Sequence, residues 1–192
     1  MNRDNSSNKD LLRIDLQTSL RRSPINPKDI TPFQRILLTT DGMVTEILEA
    51  YLWERMKVIK LSQDYFTLDN EIPSLEIGKG CKVLQRKVLL RGGLSQKNHL
   101  YAESIIIPDR LDEKIRDGLL KTNKSIGLLI LENRLETFRE ILNCGKEEAL
   151  DLADYFNIKK NDFLIFRTYR VFSNHVPIML ITEKFAENGM RV

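Results

Sequence analysis

Two charged residues stand where strand alternation calls for apolar ones, and they restrict the folds open to this chain more than any other feature. Arg86 lies in the run VLQRKVLL and Glu183 in IMLITEKF. A strand sends alternate side chains to opposite faces, so Leu84, Arg86, Val88 and Leu90 share one face, as do Met179, Ile181, Glu183 and Phe185. If these are core faces, the fold carries a cation and an anion indoors. Removing one member of a buried pair costs about 3–5 kcal/mol, so each charge needs a partner or a ligand. Three arrangements meet that demand: the two charges pair, the charged faces turn to solvent, or a small polar ligand bridges them.

The flanking sequence supplies a frame. The spacing of Phe33, Ile36 and Leu37 after Pro32 predicts a helix that Asp41 and Gly42 stop. A second helix follows with Met43, Ile47, Ala50 and Tyr51 on one side and Val44 and Leu48 widening its apolar face. Arg55 to Tyr65 reads as a strand, and two more strands at about 81–91 and 98–107 are joined through Gly92-Gly93 as an antiparallel hairpin. Asp109 is expected to cap a helix from Arg110 to Lys121, Ile126 to Leu131 to be helical, and LETFREIL to be a strand. Cys144-Gly145 is expected to open a helix that buries Ala149, Leu152 and Ala153. NDFLIFRTYRVFS and HVPIMLITEKF then form a last hairpin turning near Ser173-Asn174. Strands paired by short turns and interrupted by helices make an α+β domain on an antiparallel sheet.

A chain of 192 residues is one domain with room for a substantial core, and 42% hydrophobic with 30% charged residues is ordinary globular composition. Residues 1–27 are polar and read as an N-terminal arm, with Leu11, Leu12, Ile14, Leu16 and Leu20 spaced to dock on a domain of residues 28–192. The net charge of +3 does not call for nucleic acid and mildly favours an anionic small molecule. Cys81 and Cys144 are too far apart, and His99 and His175 too few, for a zinc site. Two lone thiols, a polar start and no apolar run of about 20 residues point to a cytoplasmic protein with no membrane partner. G-x-G-x-x-G, Walker and G-x-S-x-G signatures do not occur.

The candidate chemistry therefore runs on charge and hydrogen bonds. Arg86 is the leading anion binder, because its planar fork matches a carboxylate. Glu183 is the leading acceptor for a hydroxyl or a proton. Arg170 shares a parity with Phe166 and Phe172 and is a candidate second cation, ahead of Arg91, which adjoins a turn. Glu103 is either a third interior charge or an ion-pair partner for a neighbouring strand.

Five blocks in order, TTDGMVTEILEAY, LQRKVLLRG, LYAESIIIPDRL, KSIGLLILENRLETFRE and PIMLITEKF, resemble the chorismate pyruvate-lyase superfamily, in particular the branch that makes 4-hydroxybenzoate for phenolic glycolipids. The likeness covers about residues 30–187. It implies a single α+β domain, a six-stranded antiparallel sheet with helices covering an internal ligand site, and cofactor-free elimination of pyruvate from chorismate. It also places the carboxylate-binding arginine on Arg86, the glutamate that meets the ring hydroxyl on Glu183, assisting backbone near Ile126 and Gly127, and a lid-like wall at Met43. Glu103 departs from the ubiquinone-pathway enzymes, where a basic residue stands, and NRLETFRE departs from their strand pattern. The same fold is similar to the effector-binding domains of a class of transcription regulators, so a non-catalytic aromatic-acid-binding module is the rival reading. Such modules normally follow a winged helix that the short arm does not supply. A lyase giving a different hydroxybenzoate is a third reading.

Overall fold

The computed structural model describes residues 25–188. Six antiparallel strands form one sheet in the order β1-β2-β3-β6-β5-β4. They are β1 (Met56–Thr67), β2 (Lys82–Gly92), β3 (Asn98–Ile106), β4 (Phe138–Glu148), β5 (Phe163–Ser173) and β6 (Val176–Ala186). The helices are α1 (Pro32–Thr39), α2 (Val44–Leu52), α3 (Glu113–Lys121), α4 (Ile126–Glu132) and the single turn α5 (Ala153–Phe156). Expectation and structure agree on a single α+β domain with a six-stranded antiparallel sheet. The expected segment at residues 11–20 lies outside the described residues, while Ile25 is already buried in the core beside Ile30.

Local chemistry sets the helix boundaries. Thr31 and Gln34 form a reciprocal capping box at α1, with Pro32 in the first turn, where its missing N–H costs nothing. Two expectations shift here. Asp112, not Asp109, caps α3, since Pro108–Arg110 forms a separate 3-10 turn. In α2 the buried residues are Val44 and Leu48, and Ala50 is exposed.

The larger correction concerns residues 144–148, expected to open a helix. They extend β4, pairing Cys144 with Arg167 and Glu148 with Phe163. Pairing along the whole edge of β5 outweighs the weak helical preference of the lysine and glutamates. Only Leu150–Leu152 and α5 turn helically, and they still bury Ala149 and Ala153.

Four helices cover one sheet face in two pairs. The α1–α2 hairpin packs Leu37, Leu38, Val44 and Leu48 with Leu90, Leu100 and Phe185. The α3–α4 pair packs Ile115, Leu119 and Leu129 with Leu84, Ile106, Met179 and Ile181. On the opposite face Leu75, Ile77 and Val83 make a smaller cluster. Among the described residues, no helix is long and apolar enough to cross a membrane.

Candidate active site

A hollow lies over the sheet between the two helix pairs. Ala102 and Ser104 of β3 face it, with Arg86 and Val88 on β2 and Ile181 and Glu183 on β6 to either side. Small side chains on the central strand leave its floor. Its walls are Met43–Thr45 at the start of α2 and Ser125–Gly127 at the start of α4. Measured for the centres of water-sized molecules its volume is ≈ 70 Å³, several times the roughly 10–15 Å³ one water needs. A Cβ built on Gly127 would lie 3.0 Å from Met43 Sδ, so the glycine lets the two walls approach.

Arg86 is 2% exposed and faces this hollow. Its Nη2 donates to the Lys124 carbonyl at 2.8 Å, but its Nε is buried with no hydrogen-bond partner among the described residues. Burial pulls its pKa below the ordinary arginine value, yet a guanidinium keeps its proton in proteins. The result is a buried cation with an unused donor, on a side chain that lines the hollow. Most buried polar groups in folded proteins have a partner, so this one calls for an explanation.

Glu183 is 8% exposed and does not pair with Arg86. Its Oε2 accepts from Arg167 Nε at 2.7 Å and its Oε1 from the Tyr169 hydroxyl at 3.0 Å. Arg167, 1% exposed, also donates from Nη1 to the Thr40 carbonyl at 2.5 Å. Burial opposes the Arg167 charge, but Glu183 beside it outweighs that and raises its pKa. Burial, reinforced by Glu183, also pushes the Tyr169 phenol up, which keeps it a donor. The carboxylate is thus oriented from behind while each oxygen retains a lone pair.

Of the sequence candidates, Arg86, Glu183, Met43, Ile126 and Gly127 all line this one hollow. Arg170 does not. It points to the opposite face, where Nε meets Glu140 Oε2 at 2.6 Å and Nη1 donates to the Ser74 carbonyl. Its parity with Phe166 and Phe172 is real, but the hollow belongs to the other parity, that of Arg167, Tyr169 and Val171. Arg91 bonds Asn98 and lies outside the lining, and Glu103 pairs with Lys87 and accepts a hydrogen bond from Gln85 Nε2. Sequence reasoning missed Arg167, Tyr169 and Arg139. Arg139, half-buried on β4, lines the hollow and donates from Nη1 to the Asp41 carbonyl at 3.0 Å. Among the described residues, no cluster of His, Cys, Asp or Glu is placed to hold a metal ion.

Comparison with known proteins gives this geometry a context. PhnF from Mycobacterium smegmatis has a similar fold, with a TM-score of 0.62 at 15% identity over 78% of this chain and 66% of PhnF. The PhnF effector domain alone gives a TM-score of 0.61 at 15% identity, over 77% of this chain and 90% of that domain. At that identity the likeness concerns the fold alone. Sequence relatives are more informative. The chain is 32% identical over 152 residues to the chorismate pyruvate-lyase of Mycobacterium leprae, covering 79% of this chain and 72% of the relative. It is 31% identical over 164 residues to the chorismate pyruvate-lyase of Mycobacterium tuberculosis, covering 82% and 81%. Residues 38–191 match the family model described as chorismate pyruvate-lyase, Rv2949c-like. With most of its length matched by that model and by relatives of that name, the chain belongs to the Rv2949c-like chorismate pyruvate-lyase family of lyases.

Proposed function

We propose that this chain removes pyruvate from chorismate to give 4-hydroxybenzoate, with the ring seated in the hollow between Arg86 and Glu183. The observation that carries this reading is the unused Nε of the buried Arg86, which gives a carboxylate an acceptor's place inside a family of lyases. Arg86 takes the ring carboxylate, and the first backbone N–H groups of α4, at Ile126 and Gly127, have no acceptor within their helix and assist it. Glu183 takes the ring hydroxyl. The two anchors stand on β2 and β6 with β3 between them, two strand spacings or about 10 Å apart across the sheet. Side chains reaching inward from that separation leave space for a six-membered ring over Ala102 and Ser104.

The reaction is redox-neutral. The bond from ring carbon to enolpyruvyl oxygen breaks, the hydrogen on the hydroxyl-bearing ring carbon leaves, and the enolpyruvyl methylene gains a hydrogen as the fragment becomes pyruvate. Aromaticity of the ring supplies the driving force, so the protein needs only to hold a reactive conformer and stabilise charge as the ether bond breaks. Glu183, held by Arg167 and Tyr169, fixes the orientation of the hydroxyl-bearing carbon.

Incubating the purified protein with chorismate and quantifying pyruvate and the aromatic acid tests the proposal. Equimolar pyruvate and 4-hydroxybenzoate are expected. A different hydroxybenzoate would overturn the product assignment, and tight aromatic-acid binding without turnover would move the chain to the ligand-binding class of its structural neighbours.

A further inference from the structure

Arg139 presents a second guanidinium to the hollow. It lies opposite Val171 in the β4–β5 pairing and is half-buried, whereas Arg86 is almost fully enclosed. One hydrogen bond to the Asp41 carbonyl occupies one of its five N–H donors. Arg86, Arg139 and Arg167 stand in or directly behind the lining against the one carboxylate of Glu183. Arg167 and Glu183 neutralise each other, which leaves Arg86 and Arg139 as two positive charges without an anionic partner among the described residues at the hollow.

We propose that Arg139 is a specificity-determining residue that receives the second carboxylate of a dicarboxylate substrate, at the outer end of the hollow, while Arg86 receives the first at its inner end. The inference rests on the reading of the hollow as a chorismate site, in which the second carboxylate is that of the enolpyruvyl arm. A half-buried guanidinium suits that role, because it keeps fork geometry for a carboxylate without the desolvation cost that a fully enclosed charge incurs. Its bond to Asp41 also ties it to the loop that carries Gly42 and Met43, so a carboxylate held there sits against the wall of the site.

The consequence is an asymmetry between substrate and product. Chorismate has both carboxylates, 4-hydroxybenzoate only the inner one, and pyruvate only the outer one. Arg139 therefore adds to the grip on substrate and not to the grip on the aromatic product. Cleavage of the ether releases pyruvate at the open end, ahead of the aromatic acid.

The test compares Arg139→Gln, Arg139→Lys and Arg86→Gln with the unaltered protein, measuring KM for chorismate and the inhibition constant of 4-hydroxybenzoate. Loss of a charge-assisted pair in Arg139→Gln should raise KM by on the order of tenfold or more. It should leave the inhibition constant within about twofold, with Arg139→Lys between the two in KM. Arg86→Gln should weaken both. Proportional changes in both constants for Arg139→Gln, or a change in neither, would overturn the assignment. If Arg139→Gln fails to fold, Arg139→Lys carries the same readout. If the unaltered protein does not turn chorismate over, the functional reading falls. Calorimetric titration with chorismate and 4-hydroxybenzoate then decides on Arg139 separately. Selective loss of chorismate affinity in Arg139→Gln supports the assignment, and equal loss, or no binding to the unaltered protein, overturns it.

Discussion

Arg167 Nε lies 2.7 Å from Glu183 Oε2, and the two residues stand directly opposite each other in the β5–β6 pairing. The anion facing the hollow therefore has its cation behind it, and the cation of the lining floor, Arg86, has no carboxylate partner among the described residues. The charges are thus divided: Glu183 is satisfied internally, and Arg86 is not.

The first prediction follows from the satisfied pair. Arg167→Met leaves the buried Glu183 carboxylate with only the Tyr169 hydroxyl, and unfolding free energy should fall by about 3–5 kcal/mol. Adding Glu183→Gln removes the stranded charge and should restore a good part of that loss. Urea denaturation of the two single variants and the double variant measures this. Strict additivity of the two losses would mean that the pair is not coupled.

The unsatisfied cation gives the opposite sign. Arg86→Met removes an enclosed charge whose Nε has no partner, at the expense of one bond to the Lys124 carbonyl. Isosteric apolar replacement of such a group is often stabilising by 1 kcal/mol or more, so thermal melting should rise by about 2–4 °C while lyase activity disappears. Arg86→Lys keeps the charge without the fork and should lower kcat/KM by on the order of 100-fold with near-normal melting. A Met variant that melts well below the unaltered protein would show that Arg86 holds the fold together and is not reserved for a ligand.

Alternation within single strands made Arg86 and Glu183 legible from sequence, because each breaks an apolar face on its own. Arg167 was not legible, because its meaning lies in a cross-strand register. Ser173 pairs with Val176 around the turn, and counting straight back from there sets Glu183 opposite Phe166. A bulge between Val171 and Phe172 shifts the ladder by one and sets Arg167 there instead. Arg170 is a separate case: periodicity shows which residues share a face but not which face the helices cover, and Arg170 has the parity of the opposite one. The β4 extension through Cys144–Glu148 was hidden by a helix-compatible composition that only pairing with β5 overrides. Ile126, Gly127 and Met43 came from family resemblance alone, since no local pattern marks the place where two helix starts converge.

That convergence makes Gly127 a sensitive position. Alanine there improves helix propensity by up to about 1 kcal/mol, so stability should be unchanged or higher. The new methyl would lie 3.0 Å from Met43 Sδ, and the flexible thioether has to move. Overpacking of this kind costs about 1–3 kcal/mol where it must be relieved on ligand binding, so 4-hydroxybenzoate should bind on the order of tenfold more weakly to Gly127→Ala. Unchanged affinity measured by calorimetry would place the ligand away from this wall.

Acid sensitivity should originate outside the site, at the junction of α2, β1 and the β2–β3 turn. The Glu54 carboxylate accepts from the backbone N–H groups of Leu94 at 2.8 Å and Ser95 at 2.9 Å, and lies 3.6 Å from His99 Nε2. The Ser95 backbone and hydroxyl groups, with smaller help from Leu94 and His99, hold its pKa at about 2, below the ordinary 4.5. A depressed carboxyl contributes stability above its unfolded value, and that contribution fades as pH falls from about 4.5 towards 2. His99 is buried, and burial pulls its pKa below the ordinary 6.5, with Glu54 opposing and Lys97 adding to the depression. The unfolded chain thus binds a proton more readily than the folded one, so stability also falls as pH drops below about 6.5. Unfolding free energy should decline from pH 7 to 5, flatten over that range in His99→Gln, and lose its further decline below about 4.5 in Glu54→Gln. Urea titrations across pH measure both steps, and a His99→Gln profile parallel to that of the unaltered protein would remove His99 as the source of the first.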